Sequence, residues 1–172
     1  MEKRKLPKLA RQALSLIAYI GMFIVISTLV DWWRGRDIPK SAAPNFIETT
    51  ISGQHINLAE MSKDQLVVLY YWGTWCGACK ATSPSVNTLN RFYPVVSVAM
   101  RSGSDKDLRE YMQAKNSSFP VVNDDDQALA KHWGVRVTPM VVFVKDGQVI
   151  NYTSGVSLFP GLFLRALLAS SF

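Results

Sequence analysis

From Ala13 to Val30 the chain runs through 18 residues without a formal charge, ALSLIAYIGMFIVISTLV, and Trp32 and Trp33 follow at once. An uninterrupted apolar run predicts a helix that crosses a bilayer, which takes about 20 mostly apolar residues, and Trp favours the lipid–water boundary. The polar exceptions, Ser15, Ser27 and Thr28, can hydrogen-bond back to their own helix. Two other readings compete. A buried core helix would keep one polar face, and this run has none. A cleaved signal peptide has an apolar stretch of about 7–15 residues before a small-residue cleavage site. This stretch is longer, and the nearby small cluster, Ser41-Ala42-Ala43, runs into Pro44, a poor residue after a scissile bond. The pattern therefore divides the chain into a tail (1–12), an anchor (13–33), a short polar tether (34–43) closed by Pro39 and Pro44, and a folded domain (44–172).

Within the domain the pattern alternates between strand and helix. Phe46–Ile51 and Gln54–Leu58 flank Ser52-Gly53, which suits a hairpin. Leu66–Trp72 is a continuous apolar and aromatic run, rich enough in Val for a strand buried on both faces. A helix is expected from about Cys76 to Phe92, interrupted by Pro84, and then a buried strand over Val95–Met100. Asp105–Lys115 reads as a polar helix whose first Asp suits the helix dipole. Phe119–Asn123 is short and extended, and Asp126–Trp133 is a helical turn or two ended by Gly134. Met140–Val144 is a strand, Asp146-Gly147 a hairpin signal leading into Gln148–Thr153, and Phe159–Leu168 an apolar-faced helix. Strands alternating with helices predict an α/β domain: a mixed central sheet covered by helices on both faces, preceded by the hairpin extension.

Charge sharpens this division. The net charge of +6 could point towards nucleic acid. Residues 1–40, however, hold eight Lys and Arg against three Asp and Glu, so +5 of it lies there and the remaining chain carries +1. A nearly neutral domain lacks the basic face that phosphate binding needs. The positive tail explains the excess differently, because Lys and Arg accumulate on the cytoplasmic side of a span. Arg34 and Arg36, partly offset by Asp31 and Asp37, follow the span. The expected topology is a single-pass protein of a bacterial inner membrane, with its folded domain in the periplasm.

Cys76 and Cys79 are the two cysteines of the chain, set in Trp75-Cys76-Gly77-Ala78-Cys79-Lys80. They follow a buried strand and open a helix. The first turn of a helix leaves N–H groups unpaired and carries partial positive charge, which stabilises a thiolate at Cys76 and lowers its pKa below the free value of about 8.5. The thiolate is the nucleophile of disulfide exchange. Two intervening residues, Gly77 and Ala78, let Cys79 reach back and close a small ring. A merely structural disulfide fits less well, since closing so short a loop gains little.

Together these residues resemble the thioredoxin superfamily, in particular its membrane-tethered, exported TlpA-like branch, which includes oxidoreductases linked to suppression of copper sensitivity. The resemblance covers roughly residues 44–172. The strand ending Tyr71-Trp72 leads through Gly73-Thr74 into the cysteine motif, Pro84 stands at the family's helix kink, and Val137-Thr138-Pro139 looks like its cis-proline loop, followed by strand and hairpin. The resemblance implies a thiol–disulfide oxidoreductase acting on exported proteins. Cys76 would be the attacking, exposed cysteine and Cys79 the buried resolving one. Pro139 would be cis beside the pair, Thr138 would offer its backbone to an extended substrate strand, and Trp75 would shield the pair and add contact surface. No bound cofactor or metal is implied, because the cysteines are the redox group. The partners expected are a membrane redox protein, either a thiol transporter or an oxidase, and client proteins with thiols or disulfides. Where many reducing members carry an acid, six residues before the first cysteine or just after the cis-proline, this chain has Tyr70 and Met140, and it has Gly77-Ala78 in place of Gly-Pro. The direction of electron flow stays open.

A copper-handling module is the rival from another class. Thiolates select Cu(I), with Met140 a possible third ligand and His132 a more distant one. Zinc would want four ligands, and His55 and His132 lack ligand spacing. His132 beside Trp133 reads as a packed helix residue, Asp124-Asp125-Asp126 as a solvated helix start, and Arg101 as an ordinary surface residue after Met100.

Overall fold

The structure, a computed structural model, describes residues 8–39 and 41–171. The first seven residues of the expected tail, Lys40 of the expected tether and Phe172 lie outside the described residues. The chain divides into two compact units, Met1–Trp33 and Arg34–Phe172. Helix α1 (Lys8–Arg34) takes in all the described residues of the first. Its Leu14–Arg34 portion has a mean hydropathy of 2.0 and, among the described residues, is the one stretch long and apolar enough to cross a membrane. Its hydroxyls turn inward to the backbone: Ser15 donates to the Arg11 carbonyl at 3.0 Å, Ser27 to Phe23 at 2.8 Å and Thr28 to Ile24 at 2.8 Å.

The second unit opens with an antiparallel hairpin of β1 (Ile47–Thr49) and β2 (His55–Asn57), then a one-turn helix α2 (Leu58–Met61) that the sequence pattern does not predict. Strand β3 (Val67–Trp72), helix α3 (Gly77–Leu89), strand β4 (Val95–Met100), helix α4 (Asp105–Ala114) and strand β5 (Val121–Asp124) follow. Helix α5 (Ala128–His132), the hairpin of β6 (Met140–Lys145) and β7 (Gln148–Ser154), and helix α6 (Phe159–Ser170) complete it. The five-stranded sheet has the order β5-β4-β3-β6-β7. β3 pairs parallel with β4 and β4 with β5, while β3–β6 and β6–β7 are antiparallel. At the β6–β7 turn Asp146 and Gly147 both adopt positive φ, 52° and 67°, as that two-residue turn requires.

Every residue of β3 is fully buried, because its alternate side chains feed two cores. Val68, Tyr70 and Trp72 pack with residues of α3, α4 and α6; Val67, Leu69 and Tyr71 pack with Ile38, the β1–β2 hairpin, α5 and Trp133. Covering the sheet on both faces explains why β3 and β4 read as continuous apolar runs and not as alternations.

The segment 34–43 departs from the expected polar tether. Ile38 is 2% exposed and belongs to the second core, and a Cβ on Gly35 would overlap the Tyr152 ring. Farther along, Val149 N–H donates to the Ser41 carbonyl at 2.9 Å, Ala43 N–H to the Gly147 carbonyl at 2.8 Å, and Ala42 bridges to Gln148. The segment is polar in composition, yet Ser41, Ala42 and Ala43 run antiparallel beside the start of β7 and cover part of an edge strand that would otherwise present unpaired backbone groups.

Candidate active site

The C-terminal ends of β3, β4 and β7 and the N-terminal end of β6 meet at one end of the sheet, as the register shows: Trp72 pairs with Ala99, Tyr71 with Met140, and Met140 with Ser154. Cys76 caps α3 from this end. It sits in extended backbone, and its Sγ accepts the Cys79 N–H at 3.1 Å. Cys76 and Cys79 are joined as a disulfide with Cα atoms 5.2 Å apart. The helix behind them carries Pro84 inside it, as expected.

Burial amends one expectation. Cys76, expected to be exposed, is 5% exposed in this oxidised form, against 1% for Cys79. The order of the two is as expected, but the margin is small. Gly77 is exposed and Ala78 half-buried. Trp75 is 58% exposed. Its Nε1–H donates to the Met100 carbonyl at 3.0 Å, and the indole lies so close over Gly73 that a Cβ there would collide with it. Trp75 thus presents a ring on the surface beside Arg101, with which it lines a shallow depression. The Thr138–Pro139 peptide is cis, with Thr138 half-buried and Pro139 buried.

The hydroxyls of Ser102, Thr82 and Ser83 and one main-chain contact hold this end together with Tyr70, and of these only Tyr70 stood out in the sequence. Ser102 Oγ accepts the Thr74 N–H at 3.1 Å and donates to the Met100 carbonyl at 3.0 Å. Thr82 Oγ1 accepts the Ser157 N–H at 3.1 Å. The Gly155 N–H donates to the Pro139 carbonyl at 2.9 Å, tying the end of β7 to the cis-proline loop. Tyr70, fully buried, donates to the Cys79 carbonyl at 3.3 Å and shares a 3.0 Å hydrogen bond with Ser83. Desolvation by burial pushes the Tyr70 phenol well above its usual range, with the Ser83 hydrogen bond pulling weakly the other way. A small hydroxyl whose partner is set by tertiary packing leaves no periodic trace; Tyr70 was visible as the residue in the place of a buried acid.

Other expectations are redrawn. Met140 is fully buried in the core on the opposite face of the sheet from the cysteines. The alternation along β6 sends it there, so it neither joins the cysteine sulfurs nor walls a groove beside them. His132 is exposed at the end of α5 rather than packed. His55 is exposed too, its Nδ1 3.1 Å from the Thr49 hydroxyl. In the acidic run, Asp124 is buried at 4% exposure, where its carboxylate accepts the Leu129 and Ala130 N–H groups at 2.9 Å each. It caps α5 and is not solvated.

Three comparisons place this geometry among known proteins. Residues 39–153 match the AhpC/TSA family. A "Thioredoxin-like protein" of Haemophilus influenzae is 34% identical over 169 residues, 98% of this chain and 99% of that one. A "Thiol-disulfide oxidoreductase ResA" of Bacillus thuringiensis subsp. konkukian is 31% identical over 118 residues, 66% of this chain and 68% of that one. Among solved structures, StoA from Bacillus subtilis superimposes with a TM-score of 0.62 at 22% identity, over 72% of this chain and 96% of that one. A thioredoxin-related protein of Neisseria meningitidis gives 0.67 at 22% identity, over 76% and 91%. At these identities the structural likeness shows the fold, which is thioredoxin-like.

Proposed function

The chain belongs to the AhpC/TSA family of thioredoxin-like proteins, and from that premise we propose that it is a protein thiol–disulfide oxidoreductase of the TlpA-like branch, acting outside the cytoplasm on exported proteins. One observation carries the reading above all: Cys76 and Cys79 form a disulfide at the N-terminus of α3, with Cys76 Sγ accepting a main-chain N–H. In the dithiol form that N–H and the helix terminus favour the Cys76 thiolate.

The exchange then runs in two steps. The Cys76 thiolate attacks one sulfur of a client disulfide, and the other client sulfur leaves as a thiolate. Cys79, deprotonated, attacks the Cys76 sulfur of the mixed disulfide, releases the client's second thiolate and closes the Cys76–Cys79 disulfide. Two electrons pass to the client, and two protons complete its thiols. Run backwards, the same steps oxidise a client dithiol. Trp75, Thr138 and Pro139 line the approach as client contacts, and Gly77 and Ala78 keep the loop small. No cofactor beyond the cysteines enters either step. The relatives named as thiol-disulfide oxidoreductases support this chemistry. Copper handling loses the third ligand it drew on, since Met140 packs on the far side of the sheet.

Helix α1 supports the location, as a single-pass anchor that leaves the domain in the periplasm, and a membrane redox protein then resets the pair. Insulin reduction by dithiothreitol tests the activity. The wild-type chain should accelerate it, and Cys76→Ser should abolish the acceleration; a wild type no faster than dithiothreitol alone would contradict the proposal.

A further inference from the structure

Arg101 stands where β4 ends and the chain turns towards α4. Its φ is 47°, a left-handed conformation in which glycine is the usual residue and a long side chain is disfavoured. Its place beside the redox pair is fixed. The Arg101 N–H donates to the Asp124 carbonyl at 3.4 Å, and the next residue, Ser102, ties this loop to the cysteine loop through the Thr74 N–H. Trp75, one residue before Cys76, is held by its hydrogen bond to the Met100 carbonyl. Both side chains are exposed, and together they line an open depression of about 350 Å³. The carboxylates on the β5 side are engaged elsewhere. Asp125 accepts the Gly103 N–H at 3.0 Å, Asp126 the Ala128 N–H at 3.0 Å, Asp105 the Asn123 amide at 2.8 Å and Asp107 the Ser104 N–H at 2.9 Å. Arg101 forms no ion pair among the described residues. The other loops at this end, 73–80, 134–139 and 155–158, contain no Asp or Glu, and Arg136 is paired with Asp37 at 3.0 Å. Arg101 therefore presents an uncompensated guanidinium on the same open surface as the Trp75 ring.

From this we infer that Arg101, with Trp75, selects clients that carry an acidic residue close to the cysteine attacked by Cys76. The client carboxylate takes the planar guanidinium in a two-pronged hydrogen-bonded pair, which a lysine could not match, and the apolar stem of the acid lies against the indole. The inference rests on the oxidoreductase reading of the cysteine pair and names its substrate class. An extended client advances about 3.3 Å per residue, so an acid that reaches the depression beside Cys76 stands within about two residues of the client cysteine. The exchange chemistry is unaltered: the dithiol of Cys76 and Cys79 becomes the disulfide, and the client disulfide takes up two electrons and two protons to become two thiols.

The test uses the reduced full chain in neutral detergent micelles and three disulfide-linked peptide dimers, identical except that the residues flanking the cysteine are Glu, Gln or Lys. Each rate of peptide reduction is divided by the rate of the same peptide with dithiothreitol, which removes the effect of the flanking charge on the peptide thiol itself. At low salt the Glu peptide should run about fivefold ahead of the Gln peptide, a margin that a solvent-exposed charge pair can supply, and the Lys peptide should fall behind both. In about 1 M salt, where the screening length is about 3 Å, the margin should shrink. Arg101→Gln should bring the Glu-to-Gln ratio to about one, and so should Arg101→Gly, a second variant that suits the positive φ. Arg101→Glu should put the Lys peptide first. Equal normalised rates for the Glu and Gln peptides with the wild type, or a Glu preference that survives in Arg101→Gln and Arg101→Gly, overturns the inference. The failures are distinguishable. With no exchange on any peptide, the oxidoreductase reading falls and takes this inference with it; with exchange on all three at equal normalised rates, the inference alone falls.

Discussion

Tyr70 occupies the position where an acid would sit behind the second cysteine, and its chemistry is different. Burial raises its pKa and that of Tyr71, the latter also through the Asp124 charge. In the folded protein both phenols hold their protons at pH values where an unfolded Tyr, with a pKa of about 10, has lost its own. The unfolded state then binds fewer protons than the native one, so this contribution is fully present below about pH 10 and is lost as pH rises towards the folded values. Denaturant midpoints should therefore fall between pH 9 and pH 11, and Tyr70→Phe should flatten that fall. At neutral pH the same substitution removes the hydrogen bonds to the Cys79 carbonyl and Ser83, at a cost of about 1 kcal/mol. An unchanged alkaline slope would count against Tyr70 as a titrating group. Met140 makes the opposite case. Met140→Leu keeps its volume in a core remote from the cysteines, so it should cost under about 1.5 kcal/mol in urea unfolding and leave insulin reduction at the wild-type rate. A large loss of exchange would put Met140 back beside the site.

At the level of elements, the sequence pattern found every strand of the sheet and the helices α3 to α6, because each carries a period or a breaker that survives without tertiary context. Asp146-Gly147 marked its turn and Pro84 its helix. The pattern failed where packing overrode composition. Nothing in Arg34–Ala43 but Ile38 is large and aliphatic, so the segment read as solvent-facing, whereas that one side chain anchors it. Ile38→Ala should cost about 2–5 kcal/mol, as for other fully buried aliphatic residues, measured by denaturant unfolding; a free tether would lose nothing. Helix α4 offers a second check. Ser104 caps it in a reciprocal box, its Oγ accepting the Asp107 N–H at 3.3 Å while Asp107 accepts the Ser104 N–H at 2.9 Å. The Ser104 side chain, first, and its backbone N–H hold the Asp107 carboxyl below its usual range. Ser104→Ala should cost about 1 kcal/mol. It should also bring the Asp107 pKa back up, seen by NMR titration. The stability tied to that carboxylate is present above its unfolded pKa and fades as pH falls through the folded one, so the variant's deficit should shrink in acid.

For the whole molecule, the cysteine pair was legible in its spacing, the strand–helix order in the hydrophobic periods, and the cis-proline through the family resemblance of Val137-Thr138-Pro139. The cysteines' burial in the disulfide, the hydroxyl scaffold of Ser102 and Thr82, and the strap beside the start of β7 were not, because they depend on which surfaces meet once the sheet has formed. What unites these parts is a claim about division of labour: Cys76, at the helix terminus, attacks, and Cys79, beneath it, resolves. Trapping tests this most directly. In the full chain, Cys79→Ser should accumulate a mixed disulfide between Cys76 and a peptide disulfide, visible by mass spectrometry, because nothing resolves it. Cys76→Ser should accumulate almost none, since Cys79 at 1% exposure is hidden from the peptide. Equal trapping by the two variants, or trapping by Cys76→Ser alone, would contradict the account.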